Sequence, residues 1–335
     1  MTDHAQAESP RSLSPRDFPI DGSARERLCF LLRYAILAPS THNTQPWRFA
    51  IGSNRILVLR DRSRWLQVAD PSQRELHISV GCALEALLIA ARAFGYRATV
   101  THFPGHHGAD CVASVELPRL EKPQGPRGGL LEAMTRRQTA RRPFRPRAVP
   151  VADLGRLEAV CGDPRVMLHL TDDRIVKRRL EALVADADAR LFAEPAYRDE
   201  LGRWLGEGTF GTSWLLSKLG QIAVTYLHLG GSTTARHDTE LLHSAPEVGM
   251  LATRDDDRVN QVRVGQQFMR ICLQAELCGL GVQPMSQLCQ VEHVRAQLGR
   301  YFAAPDARVQ MVFRVGYPEV ESAPMPRRPL EEVLG

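Results

Sequence analysis

No apolar run in this 335-residue chain approaches the ~20 residues of a membrane-spanning helix. The first 20 residues, MTDHAQAESPRSLSPRDFPI, are polar and rich in Pro and Ser, without an apolar signal core, so they read as a flexible tail. Cysteine is sparse: the seven residues at 29, 82, 111, 161, 272, 278 and 289 make no C-x-x-C and no Cys/His spacing typical of zinc. An odd count without a framework points to a reducing compartment, and a cytoplasmic protein that meets no membrane is expected. Net charge is only +5, from 43 basic and 38 acidic residues, too mild to imply nucleic acid. No G-x-G-x-x-G fingerprint occupies a strand-to-helix turn, which excludes a separate Rossmann domain. No triad and no paired acid and base stands out, so no side chain is singled out as catalytic. His106-His107 lacks a carboxylate or Cys at ligand spacing, and Asp255-Asp256-Asp257 would point its acids in different directions; neither reads as a metal site.

What the chain has is a 44% apolar composition, ordinary for a real core, and length for one large domain or two modest ones. Its most distinctive stretch is Ala38-Pro39-Ser40-Thr41-His42-Asn43-Thr44-Gln45-Pro46-Trp47-Arg48-Phe49. Pro39 ends the preceding helix and Pro46 biases Gln45 to an extended conformation. The six polar side chains between them either satisfy their own backbone, with Trp47 buried behind, or face a polar ligand.

The flanking elements follow from pattern. Ser23-Ala24-Arg25-Glu26 has capping-box form, and Leu28, Leu31, Leu32, Ala35 and Ile36 then make an amphipathic helix. Trp47, Phe49 and Ile51 alternate as a strand, Gly52-Ser53-Asn54 turns, and residues 55–60 return as its hairpin partner. Ser72-x-x-Glu75 reads as a second capping box, opening a core helix that runs to Phe94 and stops at Gly95. Strands are expected at 97–102, 110–117, 166–171, 248–253 and 309–315, and helices at 151–161, 173–192 and 259–278. Residues 122–126 are a linker by composition. The Gly-interrupted stretch 197–231 is either core helices or a lid over a pocket.

Arginines crowd residues 119–147. They form either a solvated basic face or a phosphate pocket, since guanidinium forks match phosphate oxygens. An internal repeat also emerges. At an offset of 184, Val80, Gly81, Leu84, Leu87, Ala91 and Gly95 meet Val264, Gly265, Phe268, Ile271, Ala275 and Gly279. Small residues at shared positions of two long core helices suggest close contact across a pseudo-twofold axis.

The polar stretch resembles the P-S-x-x-N-x-Q-P-W element of the nitroreductase superfamily of FMN-dependent enzymes. The resemblance implies that this element, including Pro39, Ser40, Thr41, Asn43 and Gln45, lies along the flavin, with Asn43 bonded to its ring or ribityl chain. Arg136-Arg137-Gln138-Thr139-Ala140-Arg141 is similar to the family's R-x-[ST]-x-[RK] opening. That similarity implies Arg137 and Thr139 at the phosphate and ribityl chain, and Arg141 as a cation near the pyrimidine end. Thr139 stands where Ser is usual, and the extra Arg142 has no implied role. The family's tail, a strand, a G-Y-P turn and a phosphate-binding basic residue, is matched by residues 309–318 with Arg327 or Arg328. Met285, Ser286 and Gln287 fall where backbone donors approach the flavin N5.

Neither polar element has a second copy, so the implied arrangement is one composite site in two fused similar halves, as in the Acg-type twin-domain branch. The expected fold is α+β: mixed, mainly antiparallel sheets around long central helices. The first half is residues 21–125 and the second 126–335. The implied function is NAD(P)H-dependent reduction of a small aromatic, nitro or quinone-like acceptor at FMN. The alternative is an FMN-holding protein whose lid occludes the site. The partner would be a small molecule, and the chain a monomer with an internal pseudo-twofold, with further dimerisation left open.

Overall fold

The computed structural model describes residues 12–120, 129–207, 231–302 and 306–335. All of the linker at 122–126, and residues 208–230 of the lid candidate, therefore lie outside the described residues.

The first half runs α1 (Ala24–Ala35), β1 (Trp47–Ile51), β2 (Arg55–Arg60), α2 (Arg74–Ala93), β3 (Thr99–His102) and β4 (Cys111–Glu116). The Ser23 box forms: the Glu26 N–H donates to Ser23 Oγ at 3.2 Å and the Ser23 N–H to Glu26 Oε2 at 2.7 Å. Leu28, Leu31, Leu32 and Ala35 bury the predicted stripe. The second expected box does not form. Gln73, not Ser72, is the residue before α2, in a left-handed conformation without a side-chain cap. Asp70 takes over, its Oδ2 accepting the Leu76 N–H at 2.9 Å, because a carboxylate satisfies an orphan helix donor and complements the dipole. Part of the expected tail is packed: Leu13 is buried and Phe18 stacks on Phe94 with ring centroids 4.5 Å apart.

The second half runs α3 (Gly129–Arg136), α4 (Val151–Val160), β5 (Val166–Thr171), α5 (Arg174–Ala193), α6 (Pro195–Gly206), α7 (Gly231–His243), β6 (Glu247–Thr253) and α8 (Arg258–Leu277). It ends with β7 (Gly281–Pro284), α9 (Gln287–Gln290), α10 (Glu292–Tyr301), β8 (Arg308–Gly316) and α11 (Leu330–Val333). Asp257 caps α8 through the Asn260 N–H at 2.9 Å, a helix-start role for the acidic triplet.

Two four-stranded antiparallel sheets result, ordered β1-β2-β4-β3 and β5-β6-β8-β7. The order is the same in both halves. Each also carries a register irregularity in the pairing of its second strand with its fourth, at Val58/Leu59 and at Leu251/Ala252. The two sheets flank the crossing of α2 and α8, where the repeat is reciprocal. A Cβ on Gly81 would collide with the Val262 carbonyl, and one on Gly265 with the Ile78 carbonyl. Ile78 and Val262 are themselves 184 apart, so the helix backbones touch across the pseudo-twofold and only glycine fits. His77 and Gln261, another such pair, bond at 2.9 Å.

By length and hydropathy α2 alone among the described helices could cross a membrane, a closer approach than the sequence pattern suggests. All of it but Arg92 is buried, as befits the central helix of a two-sided core.

Candidate functional site

The Ser40–Gln45 turn is held in an unusual backbone. His42, Asn43 and Gln45 have φ of 49°, 54° and 52°. Non-glycine residues there cost of order 1–3 kcal/mol each and persist only when their surroundings over-determine them. Two sets of bonds do so. Within the turn, Ser40 Oγ accepts the Gln45 N–H at 2.9 Å and the Ser40 carbonyl the Asn43 N–H at 3.0 Å. From outside, residues 325–328 form a strap. Asn43 Nδ2 donates to the Pro326 carbonyl at 3.0 Å, Arg327 donates to Asn43 Oδ1 at 3.0 Å, and the Arg328 N–H donates to Gln45 Oε1 at 2.8 Å. Arg327 also reaches the Leu37 carbonyl at 3.2 Å.

The Thr139–Arg142 segment is fixed by the second sheet. The Ala140 N–H donates to the Val282 carbonyl at 3.1 Å, beside a parallel bridge between Thr139 and Val282. Fully buried Arg314 donates to the carbonyls of Ala140 at 2.9 Å and Arg142 at 2.8 Å. Burial pushes the Arg314 pKa down to about 10, where it remains a cation at neutral pH.

Between these two segments lies a cavity of about 330 Å³. The first half contributes Pro39, Ser40, Thr41 and His42, with Ile78, Ser79 and Cys82 from α2. The second half contributes Thr139, Arg141, Phe268, Gln283 and Pro284, with Ser286 and Gln287 at the start of α9. Asp188, Phe192, Tyr197, Leu201 and Asp238, from α5, α6 and α7, add a further wall, and the Arg74–Glu75 ion pair of α2, 3.0 Å apart, lines the cavity as well. Helix α6 is tied to the first half: Glu200 accepts the N–H groups of Val68 at 3.2 Å and Ala69 at 3.0 Å. Tyr197 and Trp204 pack with Leu66 and Ala69.

Burial first, and then the Arg141 charge, lowers the His42 pKa to about 4, so this imidazole is neutral. Burial lowers the Arg141 pKa, helped by Arg137. On the opposite wall, burial and then the neighbouring Asp238 push Asp188 up to about 7. Its Oδ2 is buried without a hydrogen-bond partner among the described residues. Asp238 is raised by burial too, and accepts from Gln287 Nε2 at 2.9 Å. The cavity thus brings together Arg141, a neutral imidazole, the paired Arg74 and Glu75, and two desolvated aspartates.

Of the residues read from sequence, Pro39, Ser40, Thr41, Thr139, Arg141, Ser286 and Gln287 line this cavity. Asn43 and Gln45 are buried and face the strap, to which Arg327 and Arg328 belong; Arg328 also pairs with Asp61 at 3.4 Å. Met285 lies in the core beside the cavity, its N–H bonded to the Val312 carbonyl at 2.8 Å. Arg137 is buried behind the wall near the thiols of Cys82 and Cys272, its pKa lowered by burial. Arg142 serves through its carbonyl. Sequence reasoning missed His42, Asp188 and Asp238. A signal for Asp188 exists: it follows Leu180 and Val184 at i+8 and i+4 on a buried stripe, where an acid is out of place.

Two halves of like topology, sharing a cavity at their junction, define the nitroreductase-type α+β fold. A protein of Anabaena variabilis described as "a putative nitroreductase" has this fold: the two structures superpose with a TM-score of 0.54 over 88% of each chain, at 11% identity. No family model matches the chain. In sequence it is similar to two proteins of Mycobacterium tuberculosis H37Rv. "Putative NAD(P)H nitroreductase Rv3131" is 27% identical over 308 residues, covering 90% of this chain and 88% of its own. "Putative NAD(P)H nitroreductase acg" is 28% identical over 325 residues, covering 90% and 93%. The chain is thus similar in sequence to the Rv3131 and acg proteins and in fold to the Anabaena protein.

Proposed function

We propose that the chain is an FMN-dependent oxidoreductase that takes electrons from NAD(P)H and passes them to a small aromatic, nitro or quinone-like acceptor at one composite site. The observation that carries this reading is the convergence of residues 39–42 and 139–141, from different halves, on one cavity. The donor set fits a flavin. Ser40, Thr41, Thr139 and Gln287 offer hydrogen bonds, Pro39, Ile78 and Phe268 offer apolar surface, and the volume lies at the small end of ordinary ligand sites. The names of the mycobacterial relatives supply the nicotinamide donor.

Bound FMN would supply hydride and electron transfer, and the protein would bind, orient and tune. Thr139 would serve the phosphate and ribityl end, with the buried Arg137 adding its charge from behind the wall. Arg141 would stabilise negative charge on the ring. Met285, Ser286 and Gln287 would set one edge. Asp188, with its pKa near 7, holds a proton at the cavity wall that a reduced acceptor could take. Asn43, Gln45, Arg327 and Arg328 would act by fixing the turn.

One feature favours a second reading, a flavin-holding protein without turnover. Helix α6 covers one side of the cavity and is latched to the first half by Glu200. A single experiment separates the two: an absorbance titration with FMN, followed by anaerobic NADPH. Binding and rapid bleaching support the reductase. Binding without bleaching supports the occluded site. No binding removes both.

A further inference from the structure

The fold that makes the first cavity also makes a counterpart of about 410 Å³ on the other side of the α2–α8 crossing. Three of its wall residues are repeat partners of first-cavity residues at the same offset of 184. Arg263 stands for Ser79, Gln266 for Cys82, and His102 for Ser286. Gly162–Arg165, just ahead of β5, occupies the place that the polar turn occupies ahead of β1. Neither the P-S-x-x-N-x-Q-P-W element nor the R-x-T-x-R element has a copy here, so this is not a second flavin site.

Its chemistry has changed towards positive charge. Arg92, Arg165, Arg263 and Arg270 line it, against two carboxylates. Asp163 pairs with Arg263 at 2.7 Å and Glu85 with Arg270 at 2.7 Å. Arg92 is 3.9 Å from a Glu85 oxygen already so engaged, and Arg165 makes no ion pair among the described residues. Four guanidiniums over two carboxylates leave two positive charges. Gln267 is 5% exposed, yet its Oε1 has no hydrogen-bond partner among the described residues, and neither has the buried Nε2 of His102. Buried polar atoms of this kind are rare in native proteins unless a ligand or water meets them, and the amide can turn to present its donor instead.

We propose that this second cavity binds a small molecule through an oxyanion, a carboxylate or a phosphate, forked by Arg92 and Arg165 and contacted by Gln267 and His102. Guanidinium forks match both oxyanions, and a partly enclosed site strengthens each bond.

The test is calorimetric titration of the full chain, saturated with FMN to fill the first cavity, using inorganic phosphate and citrate separately at constant ionic strength. The expected result is one saturable site for at least one probe. Binding should weaken at least tenfold in Arg92→Ala/Arg165→Ala, whose side chains are exposed, and also in Gln267→Leu. Saturation by citrate alone identifies a carboxylate, and by phosphate alone a phosphate. The proposal is overturned if neither probe saturates, or if the double variant binds as the wild type does. Titrating wild type and both variants without FMN as well separates failure of this site from failure of the flavin site.

Discussion

Replacing Gly81 by Ala would set a methyl against the backbone of Val262, with its Cβ 2.9 Å from the carbonyl carbon and 3.0 Å from Cα, and closer still to the oxygen. Ordinary carbon contacts lie at ~3.5–4.0 Å, so α2 and α8 would have to part by roughly 1 Å. Nothing local can relieve the clash, because the obstacle is main chain inside a hydrogen-bonded helix. Overpacking of this kind costs ~1–3 kcal/mol or more, and the upper end applies here. Alanine's better helix propensity returns about 1 kcal/mol. The net loss is about 2–3 kcal/mol, which in a chain of this size lowers the melting temperature by roughly 3–4 °C. Gly265→Ala should lose as much, through Ile78. Gly155→Ala is the control: Gly155 sits in α4 with nothing within 4 Å of the added carbon, and the change should gain up to about 1 kcal/mol. Thermal melts of the three variants by circular dichroism decide the matter. A Gly81→Ala protein melting within about 1 °C of wild type would refute the reciprocal backbone contact.

Other perturbations address the site. Asn43→Ala loses both strap bonds and strains a left-handed residue, costing about 2–4 kcal/mol. Asn43→Gly should recover the strain but not the bonds, and melting of the pair separates the two contributions. Arg137→Ala should weaken FMN binding, because the buried cation behind the cavity wall would no longer offset the phosphate charge; unchanged affinity in a flavin titration would remove that assignment. Asp188 has a folded pKa of about 7, above its ordinary value of 3.8, so its contribution favours the fold most at low pH and is lost as pH rises from about 4 to 7. Asp188→Asn should therefore match wild-type stability near pH 4 and exceed it above pH 7; equal denaturation midpoints at pH 8 would contradict the shift.

Much of this molecule is legible in the chain because the signals are local. Seven of the eight strands among the described residues, helices α1, α2, α4, α5 and α8, and the Ser23 cap follow from periodicity and capping chemistry, each written within a few residues. The α2–α8 contact is legible for a different reason: the repeat writes Gly81 and Gly265 twice. The cavity is legible in part. Ser40, Thr139 and Arg141 sit in recognisable strings, whereas Asp238 arrives from a polar helix and Asp188 shows only as an acid out of place on the Leu180–Val184 stripe. The strap is the least predictable feature. Whether Asn43 faces a ligand or a carbonyl from Pro326 depends on contacts across 283 residues, which no local pattern encodes. Likewise Ser72 reads as a cap, but Asp70 does that work because tertiary packing turns Gln73 left-handed.

The strap also bears on how the protein is made. The polar turn leaves the ribosome 283 residues before Pro326, the residue whose carbonyl holds Asn43. At ~5–20 residues per second that is a wait of roughly 15–60 s, during which three left-handed residues lack half of their restraints. The first sheet, α1 and one side of α2 are contiguous and can assemble in that interval, but the other side of α2 waits for α8. The turn is therefore secured only once residues 325–328 have been made, long after the first sheet is complete.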